Sequence, residues 1–182
     1  MDTITSSLHP LADYSWVVQV AYKLIKTYKL HHQPGEMIDI TPLLAYFDLR
    51  EMDLPEHIYV FTLDLESAEH KIIIALNSTL DTCQSRFVAA HELRHVALWH
   101  PNQFNQCVMG QALFNQLEKE ATALAAYLLL PRQTVAFGLT GANNEILLDK
   151  IADWYKMPPQ LVLVRRALYA LPVTDLAPHR PI

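Results

Sequence analysis

The sequence predicts a chain of the α+β class, mostly helical, with a small antiparallel sheet and two C-terminal helices. Three observations lead there. Apolar side chains recur at helical spacing over residues 14–30 and again over residues 112–130. Between these stretches lie two β-branched and aromatic runs, His57 to Leu63 and Lys71 to Leu76, separated by the polar residues 64–69. Beyond Gly138 and Gly141, two more helical segments meet at Pro158-Pro159.

In the first helix, Val17, Val20, Ala21, Leu24, Ile25 and Tyr28 form one face, and His31-His32-Gln33-Pro34-Gly35 ends it. A shorter helix fits Thr41 to Phe47, with Thr41 as N-cap and Pro42 at the first helical position. The two strands pair antiparallel, and Asn77-Ser78-Thr79 closes the second. Asp81 and Gln84 then make a D-x-x-Q capping pattern, so a helix starts near Thr82 and runs to Trp99 or His100, before Pro101. After an Asn- and Gln-rich loop, a helix spans Ala112 to Leu130 and stops at Pro131. The last two helices fit Asn144 to Tyr155 and Pro158 to Tyr169. The expected organisation is one domain over residues 1–182. Its core lies at about 14–135, a C-terminal helical segment at about 143–170, and a flexible tail with three prolines at 171–182.

Hydrophobic content of 51% and charged content of 18% exclude a disordered or low-complexity chain. A net charge of −5 disfavours direct nucleic-acid binding, because no basic excess is available to neutralise phosphates. The N-terminus has no signal-peptide pattern, and the longest apolar run, Ala121 to Leu130, is about half the length of a membrane span. Cys83 and Cys107 make no disulfide framework. The expected setting is the cytoplasm, with no membrane partner.

Within the third helix, His91-Glu92-Leu93-Arg94-His95 spells HExxH. Histidines four apart share a helix face, so both imidazoles can reach one metal ion, while Glu92 sits about 100° round and can address water on that ion. A catalytic zinc needs a third protein ligand. The metzincin spacing is absent, since Leu98 and Pro101 stand where Gly and His would be. His100 faces away from His91, and Cys107 would make the site resemble a structural one. Glu118 and Glu120 remain, two residues apart, so only one can face the metal. Glu120 borders the stripe of Ala121, Leu124, Ala125 and Leu128, whereas Glu118 lies between Gln116 and Lys119, so the pattern prefers Glu120 without deciding.

Two longer stretches carry a resemblance. Glu120-Ala121-Thr122-Ala123-Leu124-Ala125-Ala126-Tyr127-Leu128-Leu129-Leu130-Pro131 resembles the "EAnrFAaeLLmP" signature of the ImmA/IrrE metallopeptidases. Ile72 to Asn77, followed by Arg86-Phe87-Val88-Ala89-Ala90-His91-Glu92-Leu93, resembles that family's "I.iN … rFtlaHElgHllLh" block. The likeness extends over about Tyr14 to Tyr169 and is strongest from Lys71 to Pro131. It implies a zincin-like fold and a His91–His95–Glu120 metal site of the gluzincin type. It also implies Zn²⁺ as cofactor, with Mn²⁺ as an alternative, and Glu92 as general base. Arg94 departs from the family's usual glycine, which bears on how closely a neighbour can approach that side of the helix.

The resemblance further implies a regulatory endopeptidase that cleaves or otherwise inactivates a helix-turn-helix repressor of the Xre type, in mobile elements or stress responses. Two other readings compete. The same site could serve a metal-binding module that sequesters a regulator without cutting it. Alternatively, residues 151–162 have a helix-turn-helix cadence followed by Arg165-Arg166, which would suit a DNA-binding regulator but also two packed helices. Tyr127 is expected in the core, with stabilisation of an oxyanion as its alternative role, and Arg86 is expected as a structural anchor. His57, His70 and His100 have no spacing that suggests a role.

Overall fold

The computed structural model of the chain describes residues 14–30, 37–45, 48–56, 58–65, 71–97, 111–130, 134–135 and 145–169. The first helix, α1 (Ser15–Thr27), buries Val17 and Ala21 of the face that the apolar spacing marks, with Val20, Leu24, Ile25 and Tyr28 partly buried against the core, and buries Val18 beside it. It closes with Lys29 in the left-handed region (φ 51°), which lets the Leu30 N–H return to the Ile25 carbonyl at 2.9 Å. The next helix, α2 (Thr41–Leu44), is a single turn. Thr41 is its first residue rather than its cap. Asp39 Oδ1, 2.9 Å away, accepts the Thr41 N–H instead. The expected extension to Phe47 stops at Leu44, and residues 46–47 lie outside the described set.

Three strands follow: β1 (Asp48–Met52), β2 (Val60–Leu65) and β3 (Lys71–Asn77). They form one sheet in the order β1-β3-β2. β2 and β3 pair antiparallel, with Thr62 opposite Ile74, as the two runs predict. β1 was not expected, and it pairs parallel to β3, so the sheet is mixed. Its sequence, Asp-Leu-Arg-Glu-Met, has no alternating apolar pattern, and most of its residues are exposed. Backbone pairing with β3 makes it a strand.

One face of β3 supplies Ile74 and Leu76, which pack with Ala89 into a small core between sheet and helix. That helix is α3 (Thr82–Ala97). Its capping box forms as the sequence predicts: Asp81 N–H donates to Gln84 Oε1 at 3.0 Å, and Gln84 N–H to Asp81 Oδ1 at 2.8 Å. The remaining elements are α4 (Gln111–Leu129), α5 (Glu145–Tyr155) and α6 (Pro159–Leu168). α4 packs against α3, α1 and α6, and α6 against α5. Ala121 and residues 123–126 on α4 are fully buried or nearly so, as are Leu128, Leu129 and Leu130. These small side chains admit close approach of the neighbouring helices. No helix among the described residues is long and apolar enough to cross a membrane. The expected tail, residues 171–182, lies outside the described set.

Two polar groups tie this frame together. Arg165, fully buried on α6, donates from Nε to the Leu130 carbonyl at 3.0 Å and lays its guanidinium 3.9 Å from the centre of the Tyr127 ring. A cation is thus placed against the C-terminal end of α4, where the helix dipole favours it. This arginine is part of the core and is not displayed for a phosphate backbone. Asn77, also buried, directs its amide at three carbonyls: Leu54 (3.1 Å), Pro55 (3.3 Å) and Ile58 (2.9 Å). Its Oδ1 accepts from the Thr79 N–H and hydroxyl, and its own N–H donates to the Tyr59 carbonyl at 3.0 Å. One side chain therefore sets the turn that leads into β2.

Two outcomes are expected. Asn77→Ala strands those carbonyls and lowers unfolding stability by about 2–3 kcal/mol, read by urea titration. Asp39 is held below the usual carboxylate range by the Thr41 hydroxyl, then the Thr41 N–H, with Arg86 helping. A carboxyl depressed in the folded state contributes its stability above the unfolded value and loses it as pH falls through the folded one. Asp39→Asn should flatten that acid-side loss of stability in denaturation profiles taken down through the carboxylate range.

Candidate metal centre

The centre is built where α3 meets α4. His91 and His95, one turn apart, bring their Nε2 atoms to 3.2 Å from each other, with ring centroids 5.0 Å apart. Phe87, one turn earlier, sets its ring edge-to-face against His91 at 5.7 Å. The Nδ1 of His91 is buried without a partner among the described residues. Ring orientation is therefore set by the Phe87 contact and the Nε2 side.

Of the two glutamates that the sequence leaves in competition, Glu118 has its carboxylate facing both histidines. Its Oε2 lies 3.2 Å from His91 Nε2, and its Oε1 lies 3.4 Å from His95 Nε2. Glu120, the residue the sequence preferred, is buried and accepts from Gln116 Nε2, one turn back on its own helix, at 2.9 Å. Two residues apart at about 100° per residue, the two side chains leave α4 roughly 160° apart, so they meet different surroundings: Glu118 is partly buried and faces the histidines, and Glu120 is buried.

Glu92 lies on the sheet side of the same helix. It is only 5% exposed, and its Oε2 accepts from the Thr62 hydroxyl of β2 at 2.7 Å. Burial pushes its carboxyl above the usual range. The Thr62 hydrogen bond and the nearby His91 pull it back, and the charge of Glu118 adds a smaller push upward. One ligand-capable atom from each of His91, Glu92 and His95 lies within 4.8 Å of the others.

The donor set can be tested against a metal. Zinc bonds of about 2.0–2.1 Å in a tetrahedral arrangement require donor–donor separations of roughly 3.3 Å. The two histidine Nε2 atoms are 3.2 Å apart, and each meets a different oxygen of Glu118, His91 with Oε2 at 3.2 Å and His95 with Oε1 at 3.4 Å. Two imidazoles and one carboxylate are also the donor chemistry of hydrolytic zinc sites, and His91, His95 and Glu118 fit the ion.

Over residues 43–165 the chain matches the M78 peptidases, described as the IrrE N-terminal-like domain. The chain belongs to this family. The match runs from α2 to α6 and contains the sheet, the HExxH helix and α4, so membership covers every residue of the centre. It agrees with the resemblance carried by the two sequence signatures, and it makes the protein a member of a metallopeptidase family. The chain is also similar to "Uncharacterized immunity region protein 2" of Bacillus phage phi105. The two are 29% identical over 150 residues, which are 81% of this chain and 87% of that one.

Other sequence-selected residues fall into place in the M78 frame. Arg86 is an anchor, as expected: its Nη2 donates to the Ile38 carbonyl at 3.0 Å. Tyr127 is a core residue beneath Arg165. Cys107, His57, His70 and His100 lie outside the described residues. Sequence reasoning missed Thr62. The signal was a lone hydroxyl within the apolar run Val60 to Leu63, which becomes meaningful only once the register sets it on the α3-facing side. The centre should bind one divalent ion per chain, and loading with zinc should raise unfolding stability by about 2.7 kcal/mol at a hundredfold excess over Kd, reversed by a chelator.

Proposed function

We propose that this M78 protein is a zinc-dependent endopeptidase that inactivates an Xre-type helix-turn-helix repressor by cutting it. The observation that carries the proposal is the convergence of His91, His95 and Glu118 at separations of 3.2–3.4 Å, beside the buried carboxylate of Glu92. Family membership supports the peptidase chemistry. A relative named for a phage immunity region supports a regulatory target.

In this reading His91, His95 and Glu118 hold the ion, and Glu120 braces α4 through Gln116. A bound zinc supplies Lewis acidity, acidifying water towards neutrality and polarising the scissile carbonyl. Glu92 takes the proton of the attacking water and returns it to the leaving amine. Its elevated affinity for a proton suits both halves of that transfer. The substrate backbone adds to β2, the sheet edge that touches Glu92 through Thr62. The other edge, β1, has no such link to the centre among the described residues.

The test uses the Xre-type repressor encoded nearest this gene. Zinc-loaded protein should cut it at one site, and Glu92→Gln should keep the metal while cleavage falls by about 10²- to 10⁴-fold. Glu118→Gln should weaken zinc binding, in competition with a chromophoric chelator, by more than Glu120→Gln does. Tight binding of the repressor without any cut by the zinc-loaded protein would overturn the peptidase reading in favour of sequestration.

A further inference from the structure

We propose that Thr62 is the positioning residue for Glu92, holding one carboxylate oxygen so that the other is presented to water. The inference rests on the reading that Glu92 acts as the base. Thr62 is the one hydrogen-bond donor to Glu92 among the described residues, at 2.7 Å to Oε2. It stands within β2 opposite Ile74, which is fully buried between sheet and helix. Its hydroxyl therefore comes from the rigid, α3-facing side of the sheet rather than from a mobile loop.

The choice of residue is informative. At a strand position facing an apolar core, Val would satisfy the backbone preference and the packing equally well. A hydroxyl there is costly unless it is bonded, and its partner is the buried carboxylate. Glu92 itself is on a helix with two rotatable bonds beyond Cβ. Without an anchor, a carboxylate at that position samples orientations that do not face the centre. With Oε2 fixed by Thr62, Oε1 is left to receive the proton. Because Thr62 belongs to the edge strand onto which a peptide would add, one strand sets both the substrate and the base. Register between them is then independent of loop motion.

The experiment compares Thr62→Val and Thr62→Ser with the wild type, all zinc-loaded, on the adjacent repressor and on labelled casein as a general substrate. Zinc content, unfolding midpoint and steady-state kinetics are measured for each. Expected are an unchanged KM and zinc content, with kcat lowered by about ten- to a hundredfold in the Val variant and largely restored in the Ser variant. Wild-type kcat in Thr62→Val, or an equal loss in both variants, would overturn the assignment. A double-mutant cycle of Thr62→Val with Glu92→Ala, read as unfolding midpoints of the zinc-free protein, needs no activity. Non-additive midpoints support the contact and additive ones overturn it. If the wild type cuts neither substrate, the peptidase reading fails by itself, and the cycle alone then decides whether Thr62 holds Glu92.

Discussion

The packing of α3 against α4 is the constraint on which the centre depends. It forces two imidazole Nε2 atoms and one carboxylate to within 3.4 Å of one another. Such groups do not gather unaided, since their lone pairs repel unless a proton or a cation lies among them. Holding them together requires a frame that gains its stability elsewhere. That gain comes from the buried face of α4: Leu124, Ala125 and Leu128 pack into the main core, while Arg165 caps the Leu130 carbonyl and covers Tyr127. The apolar contacts bring the helices close, and the polar site forms where they meet.

The sheet performs the second task. β3 lies at its centre and packs on α3 through Ile74 and Leu76. Asn77 at its end gathers the carbonyls of Leu54, Pro55 and Ile58, and so sets where β2 begins. From there the antiparallel register carries Thr62 to Glu92. A chain of contacts thus runs from a buried amide to the Glu92 carboxylate, with each link fixed by backbone pairing or burial. The electrostatics follow from the same packing, because the burial that orders Glu92 also raises its proton affinity.

Much of this could be read from residues alone, for physical reasons. The capping box at Asp81 and Gln84, the helical face of α1 and the antiparallel pair follow from local pattern, and each forms where the pattern puts it. HExxH is likewise local, since helix geometry places both histidines on one face. What escaped depends on partners distant in sequence. β1 is charged and exposed, and becomes a strand only by pairing with residues 71–77. Thr62 looks like an ordinary strand residue until the register brings it to α3. The contest between Glu118 and Glu120 turned on which side of α4 faces α3. Both residues flank the small-residue stripe, so pattern alone preferred Glu120 without deciding, and the contact of Glu118 with the histidines is visible only once α3 and α4 pack.

The central claim is that His91, His95 and Glu118 form one three-ligand metal site. A crystal structure of the zinc-loaded protein, with anomalous scattering recorded at the zinc edge, tests it most directly. The account predicts a single strong anomalous peak about 2.0–2.2 Å from His91 Nε2, His95 Nε2 and a Glu118 oxygen, with Glu92 outside bonding distance. A peak bonded to Glu120 in place of Glu118, or no peak between the two histidines, would contradict it.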